Sequence, residues 1–320
     1  MQSFCFCVFF QIIDAINSNP NIGQPKWPTT VDECNEIASG WAKLSGPSQA
    51  RGLFTTVIGM VDGILIRTVS PSRRETKRRD DFRSGHKKQI GLNCQALCDS
   101  SLRFLFISVK APGMTNDIVI AMLFLVTPHP CDFVSLLLSV KTPGKTNDLK
   151  AYRMSKLSEL VENLPEGYWC GGDNAYCNSE HLLVPFPGQN LPQRMDSFNF
   201  FLSQLRVRIE NAFALLVSRW GILWRPLRVR LKSQPKLIKC LCKLHNFCID
   251  EKEPRPAASG PRGTAPPTAM VTVETEFNTK VMEMRSEWLP EYRFQRTVEG
   301  PCLRNNLADM IMEMNYVFRT

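Results

Sequence analysis

The chain has 320 residues, 43% of them hydrophobic and 22% charged, a balance that supports a packed core and excludes disorder throughout. A formal charge of +9 and a pI near 9.0 favour an anionic partner such as nucleic acid, although the placement of the charge has to decide. Twelve cysteines without dense, regular spacing exclude a small secreted disulfide scaffold and favour reduced thiols inside a cell.

The apolar run Phe4 to Phe10 imitates a signal-peptide core. No Lys or Arg precedes it and no small-residue cleavage pattern follows before Asp14, so an ordinary helix, centred on Phe9 to Ile16, is expected. A Pro/Gly/Asn-rich connector from Pro20 to Pro28 leads to Thr29-Thr30-Val31-Asp32-Glu33, where a threonine followed by acids predicts a helix over Val31 to Leu44. The β-branched stretch Thr55 to Val69 reads as a strand with Gly59 and Gly63 as weak points and Asp62 in its middle.

A basic loop follows, with Arg73, Arg74, Lys77, Arg78 and Arg79, then Arg83, Lys87 and Lys88. A charge run is usually a solvated face, but this one adjoins the Asp62 strand, which makes it a candidate for DNA-phosphate contact or nuclear import. Ile90 to Leu97 and Leu102 to Val109 read as two strands joined at Asp99-Ser100-Ser101. The apolar run Ile118 to Val126 is about half the length of a membrane helix and ends at Thr127-Pro128, so no transmembrane segment or membrane partner is expected.

Tyr168 to Gly171 is a short strand running into Gly172 and Asp173. Phe198 to Trp220 is a long helix with Phe198, Phe201, Leu202, Leu205, Ile209, Ala212, Phe213 and Leu216 along one side. Strands followed by a long helix make an α/β plan. Cys240, Cys242, His245 and Cys248 suggest zinc, yet they spread around a helix and no second Cys/His pair follows, so a buried helix is the plainer reading. Asp250 to Ala269, with five prolines, reads as a linker, and Leu303, Leu307, Met310, Ile311 and Met314 give the C-terminus one apolar helical face.

One repeat is visible. ISVKAPGMTND at Ile107 to Asp117 returns as LSVKTPGKTND at Leu138 to Asp148, with eight of eleven residues identical at an offset of 31. Two copies do not make a solenoid. Only one copy fits a given strand-to-loop position, so about 118–147 is expected to be an insert extruded from the core.

Three acids stand out. Asp62 lies on a strand expected to be buried, where an ionised carboxylate needs a partner or a metal. Asp173 ends a strand after two glycines, the usual place for functional groups in an α/β sheet. Glu210 is the only acid between Ser203 and Lys243, among ten Lys or Arg residues. Each alone has a commonplace explanation; for Glu210 it is a helical pair with Arg206.

Together, Asp62 in its Asp-Gly setting, GDNAY (Gly172 to Tyr176) and RVRIENAFALLVSRW (Arg206 to Trp220) resemble the PIF/Harbinger-type DDE transposases and the harbinger transposase-derived nucleases. PGKTND (Pro143 to Asp148), SFNFFLSQLR (Ser197 to Arg206) and CKLHNFCI (Cys242 to Ile249) extend the likeness over roughly 25–250, and the 36 residues between Asp173 and Glu210 suit that family. The resemblance implies a ribonuclease-H-like mixed sheet flanked by helices. It also implies a metal-binding catalytic triad of Asp62, Asp173 and Glu210, holding two Mg²⁺ or Mn²⁺ ions about 3.5–4 Å apart.

The implied reaction is phosphodiester cleavage of double-stranded DNA followed by strand transfer, in the nucleus. Asp148 is a further candidate at the metal site, with helix capping as the simpler role, and it is preferred over Asp117 because LKAYRMSKLSEL continues after it as a helix. Arg206, Arg208 and Arg219 would add DNA contacts that position the duplex without reading its sequence. The expected organisation is a helical N-terminal remnant (1–50), the nuclease domain (51–250), a linker (251–270) and a helical tail (271–320).

Only about 25 residues precede the region of resemblance, too few for the helix-turn-helix segment such proteins usually carry. This leaves room for a separate DNA-binding partner protein, and for the alternative of a catalytically inactive, transposase-derived DNA-binding protein. A third alternative is a structural protein using its basic surface on protein or RNA.

Overall fold

The computed structural model describes residues 2–44, 53–77, 79–83, 89–109, 152–153, 155–253 and 303–314. Asp117, Asp148, Arg78, Lys87, Lys88, the expected insert at about 118–147 and most of the proline-rich stretch lie outside the described residues.

Helix α1 (Gln2–Ser18) and helix α2 (Val31–Ala42) open the chain. Helix α2 starts where its sequence demands: the Thr30 side chain accepts the Glu33 N–H, while the Glu33 carboxylate reaches back to the Thr29 N–H at 2.7 Å. The Lys26 ammonium and these Thr29 donors hold the Glu33 carboxyl down at about 2. Gly23, at φ +48°, turns the connector tightly against the backbone of a later helix; a Cβ there would stand 1.8 Å from the Lys243 carbonyl oxygen.

Five strands form one mixed sheet in the order β3-β2-β1-β4-β5: β1 (Val57–Arg67), β2 (Gly91–Cys98), β3 (Phe104–Val109), β4 (Trp169–Gly171) and β5 (Leu182–Leu183). β1 to β3 are antiparallel neighbours, and β4 and β5 run parallel to β1. This is the ribonuclease-H-like α/β plan that the resemblance implied. β1 is long because its first part pairs with β4 while the rest, through Arg67, continues with β2 alone. Gly59, read as a weak point, sits at the register shift against β4.

Alternation along β1, reset by the irregularity between Val57 and Gly59, divides the core in two. On one face Met60 and Ile66 pack with the long helix α4 (Gln193–Arg219) and helix α5 (Gln234–Asp250); on the other, Ile58 and Val61 pack with α2 and the short helix α3 (Lys156–Glu162). Helix α4 begins five residues before the apolar stripe that predicted it, because the polar turn from Gln193 precedes the first core position, Phe198. β5, two residues long, is too short to carry an alternation signal.

α5 does its work with polar side chains. Asn246, fully buried, accepts the Phe104 N–H at 2.8 Å and donates to the Phe104 carbonyl at 2.9 Å, so it pairs with edge strand β3 as a further strand would. His245 bonds the Leu102 carbonyl at 2.8 Å, and the buried Lys243 ammonium donates to the carbonyls of Asn17 and Asn19 at the end of α1. The Leu-His-Asn element is thereby structural. Helix α6 (Leu303–Glu313) docks on α4, with Arg194 paired to Asp309, and lays Arg304 over the Phe186 ring at 4.1 Å. No helix among the described residues is long and apolar enough to cross a membrane.

Candidate functional site

The parallel register of β1 and β4 decides where the first two acids stand. Met60 is opposite Gly171, and Gly172 follows beside Val61, whose Cγ1 lies 3.2 Å from the position a Gly172 Cβ would take. Two residues beyond the Met60–Gly171 pair, on each chain, come Asp62 and Asp173. Asp62 thus lies in the middle of β1 and Asp173 just past the end of β4, on neighbouring segments whose backbones are about 4.8 Å apart in a sheet. A Cβ on Gly171 would meet Met60 Sδ at 2.5 Å and Leu202 of α4 at 3.1 Å, so this pair faces α4, and alternation gives Asp62 and Asp173 the same side.

Both aspartates are half-buried. Asp62 Oδ1 accepts the Gly63 N–H at 2.7 Å, and Asp173 Oδ1 accepts the Ala175 N–H at 2.9 Å, an Asx turn that fixes the loop after β4. Tyr176 anchors that loop from behind. Its N–H donates to the Asp173 carbonyl, and its buried hydroxyl donates to Gln95 Oε1 at 2.7 Å, on the strand that pairs with β1 next to Asp62. Tyr176 and Gln95 were not singled out from sequence, and only the GDNAY motif hinted at the tyrosine.

Helix α4 crosses above this pair, with Leu202 over Met60 and Gly171 and Phe213 stacked on Phe104. Asn199, Arg206, Glu210 and Val217 share one flank by helical spacing. At one end of that flank Asn199 bonds both the N–H and the carbonyl of Phe186, in the chain leaving β5. At the other, the Val217 carbonyl accepts the Trp224 indole N–H, in the segment that returns to pair Leu227 with Thr68 just past β1. The flank carrying Glu210 therefore runs from the chain leaving β5 to the segment around Trp224.

Glu210 is exposed and makes no ion pair among the described residues; the pairing with Arg206 that their spacing allows is not formed. Arg206 is 8% exposed, its Nε without a partner, so of the three helix arginines read as DNA contacts it is the least able to meet a duplex; Arg208 and Arg219 are half-buried. Among the described residues no three His, Cys, Asp or Glu side chains are grouped to hold one ion. That statement covers the zinc candidates: Cys240 and Cys242 are buried thiols, and His245 packs on Phe104. Two adjacent, half-buried carboxylates are hard oxygen donors and fit Mg²⁺ or Mn²⁺.

The basic loop begins just past Arg67, five residues or roughly 17 Å along the strand from Asp62. Arg73, Arg74, Lys77 and Arg79 are all exposed; Arg73, Lys77 and Arg79 line a cleft of about 550 Å³ with Arg83.

The family model described as DDE superfamily endonuclease matches residues 61–124 and 122–246, together more than half of the chain. Each matched piece carries one copy of the Ser-Val-Lys repeat. A protein of Arabidopsis thaliana named Protein ALP1-like is 28% identical over 232 residues, 71% of this chain; the chain spans about half, 49%, of that relative's length. No solved structure matches the chain. With the mixed sheet and its paired aspartates, the family match places the chain among its kin: it belongs to the DDE superfamily endonuclease family.

Proposed function

We propose that the chain is a divalent-metal-dependent DNA nuclease of transposase type, in which Asp62, Asp173 and Glu210 hold Mg²⁺ or Mn²⁺, two ions when fully loaded, with Asp148 as a fourth candidate. The observation that carries this reading is the register that sets Asp62, in the middle of β1, beside Asp173, just past the end of β4, in a member of an endonuclease family.

The bound ions would supply Lewis acidity toward the phosphate and a lowered pKa for water. The chain's own residues do the rest. The β1 backbone and the Asx turn fix the two aspartates before substrate arrives, Tyr176 keeps the Asp173 loop in place, and Glu210, which stands apart from the pair, would complete the site from α4 when metal binds. In cleavage the water oxygen bonds to phosphorus as the P–O3′ bond breaks; the leaving oxygen takes a proton, giving a 3′-hydroxyl and a 5′-phosphate. In strand transfer that 3′-hydroxyl replaces water as nucleophile. Nuclear localisation is proposed with this function, on the basic loop, and imaging a fluorescent fusion with Lys77, Arg78 and Arg79 replaced checks it.

The standing apart of Glu210 favours a second reading, a DNA-binding derivative that has lost catalysis. Supercoiled plasmid with Mg²⁺ or Mn²⁺ separates the two. The nuclease reading expects nicked circles that vanish with Asp173→Ala; gel shift without nicking in the unaltered chain is the outcome for the silent derivative.

A further inference from the structure

We infer that the segment 225–232 joins the basic loop 70–83 in one cationic platform that grips the phosphate backbone of duplex DNA, with Glu75 as the positioning residue between them. The inference rests on the proposed action on DNA and adds a binding surface to it.

Backbone pairing brings the two segments together: Val69 N–H donates to the Leu227 carbonyl at 3.1 Å and Leu227 N–H to the Arg67 carbonyl at 2.9 Å, while the Arg67 guanidinium holds the Trp224 carbonyl. Glu75 completes the joint. One carboxylate oxygen accepts the Leu231 N–H at 3.0 Å; the other accepts the Ser72 N–H and hydroxyl. These donors, with Arg230 nearby, hold its carboxyl below the usual range.

From Leu227 to Lys232 the chain alternates: Leu227 and Leu231 are buried, whereas Arg228, Arg230 and Lys232 are exposed. Three cations thus stand exposed at every second residue, Arg228 and Arg230 ahead of the 3-10 turn Leu231–Ser233 and Lys232 within it. They border a cleft of about 630 Å³ shared with Arg74, and among the described residues Glu75 is the only acid lining this cleft or its 550 Å³ neighbour. Among the described lining residues the cations outnumber the one acid, which favours an anionic partner. Among the described residues neither cleft has an aromatic lining residue on which a base could stack, which favours the duplex backbone over a single strand.

The test is fluorescence anisotropy of the full chain on a mixed-sequence duplex, without divalent metal, across a salt series. Arg228→Gln/Arg230→Gln/Lys232→Gln is expected to lower the log–log salt slope by about 2.7, so that the affinity drop from 50 to 200 mM salt is roughly 40-fold smaller. Glu75→Ala is expected to weaken binding about threefold, although removing a negative charge strengthens binding on charge counting alone. Glu75→Gln, which keeps the shape but only one acceptor, should weaken it less. An unchanged slope in the triple variant, tighter binding by both Glu75 variants, or tighter binding of single strands overturns the platform. Loss of plasmid nicking, in contrast, leaves it standing and counts only against the nuclease reading.

Discussion

Replacing Asn246 by alanine exposes how the sheet edge is closed. β3 is the outer strand, and the N–H and carbonyl of Phe104 point away from β2 with no strand to receive them. Asn246 satisfies both at 2.8 and 2.9 Å from a fully buried position. Alanine leaves two buried backbone groups unpaired, each costing about 1–3 kcal/mol, so the loss should be about 4 kcal/mol. With an unfolding entropy of about 2.1 cal/mol/K per residue over 320 residues, that lowers Tm by roughly 6 °C. Asn246→Asp keeps the acceptor but sets a carboxylate oxygen against the Phe104 carbonyl, and should cost at least as much. Urea unfolding followed by circular dichroism measures both, and a loss below about 1 kcal/mol for alanine would show that the edge is held by packing.

Four further outcomes follow from the same contacts. Burial holds the His245 imidazole down at about 4, below the 6.5 of an unfolded chain, so its contribution is fully present above pH 6.5 and is lost as pH falls toward 4. The loss is of order 3 kcal/mol, and His245→Gln should flatten that part of the stability–pH curve. Gly23→Ala forces a Cβ into the Lys243 carbonyl at a left-handed position and should cost at least about 3 kcal/mol in thermal unfolding. Arg304→Ala removes donors to the Val184 and Pro185 carbonyls and the Phe186 ring contact; about 2 kcal/mol is lost locally, and amide exchange across 303–313 should accelerate. Tyr176→Phe loosens the Asp173 loop, so nicking should slow while duplex affinity stays unchanged.

How much could be read in advance depended on the length of each signal. β1 and β3 were legible from β-branched and aromatic runs, β2 from its place before the turn at Asp99-Ser100-Ser101, and α2 from its Thr-x-x-Glu start. The turn before β3 was placed correctly, but the left-handed Leu102 that completes it has no composition cue. Asp62 and Asp173 stood out from their neighbours, yet their adjacency is set by the Met60–Gly171 register, which no local pattern encodes. Glu75 was invisible for the opposite reason: an acid inside a run of arginines reads as noise until its carboxylate is found on the Leu231 N–H, 156 residues away.

Mn²⁺ binding to the full chain, followed by electron paramagnetic resonance in the absence of DNA, reaches the central claim most directly. The neighbouring aspartates of β1 and the loop after β4 predict that Asp62→Asn and Asp173→Asn each abolish the bound signal and that Glu210→Gln weakens it, with folding intact by circular dichroism. Bound Mn²⁺ that survives both aspartate substitutions would contradict the assignment.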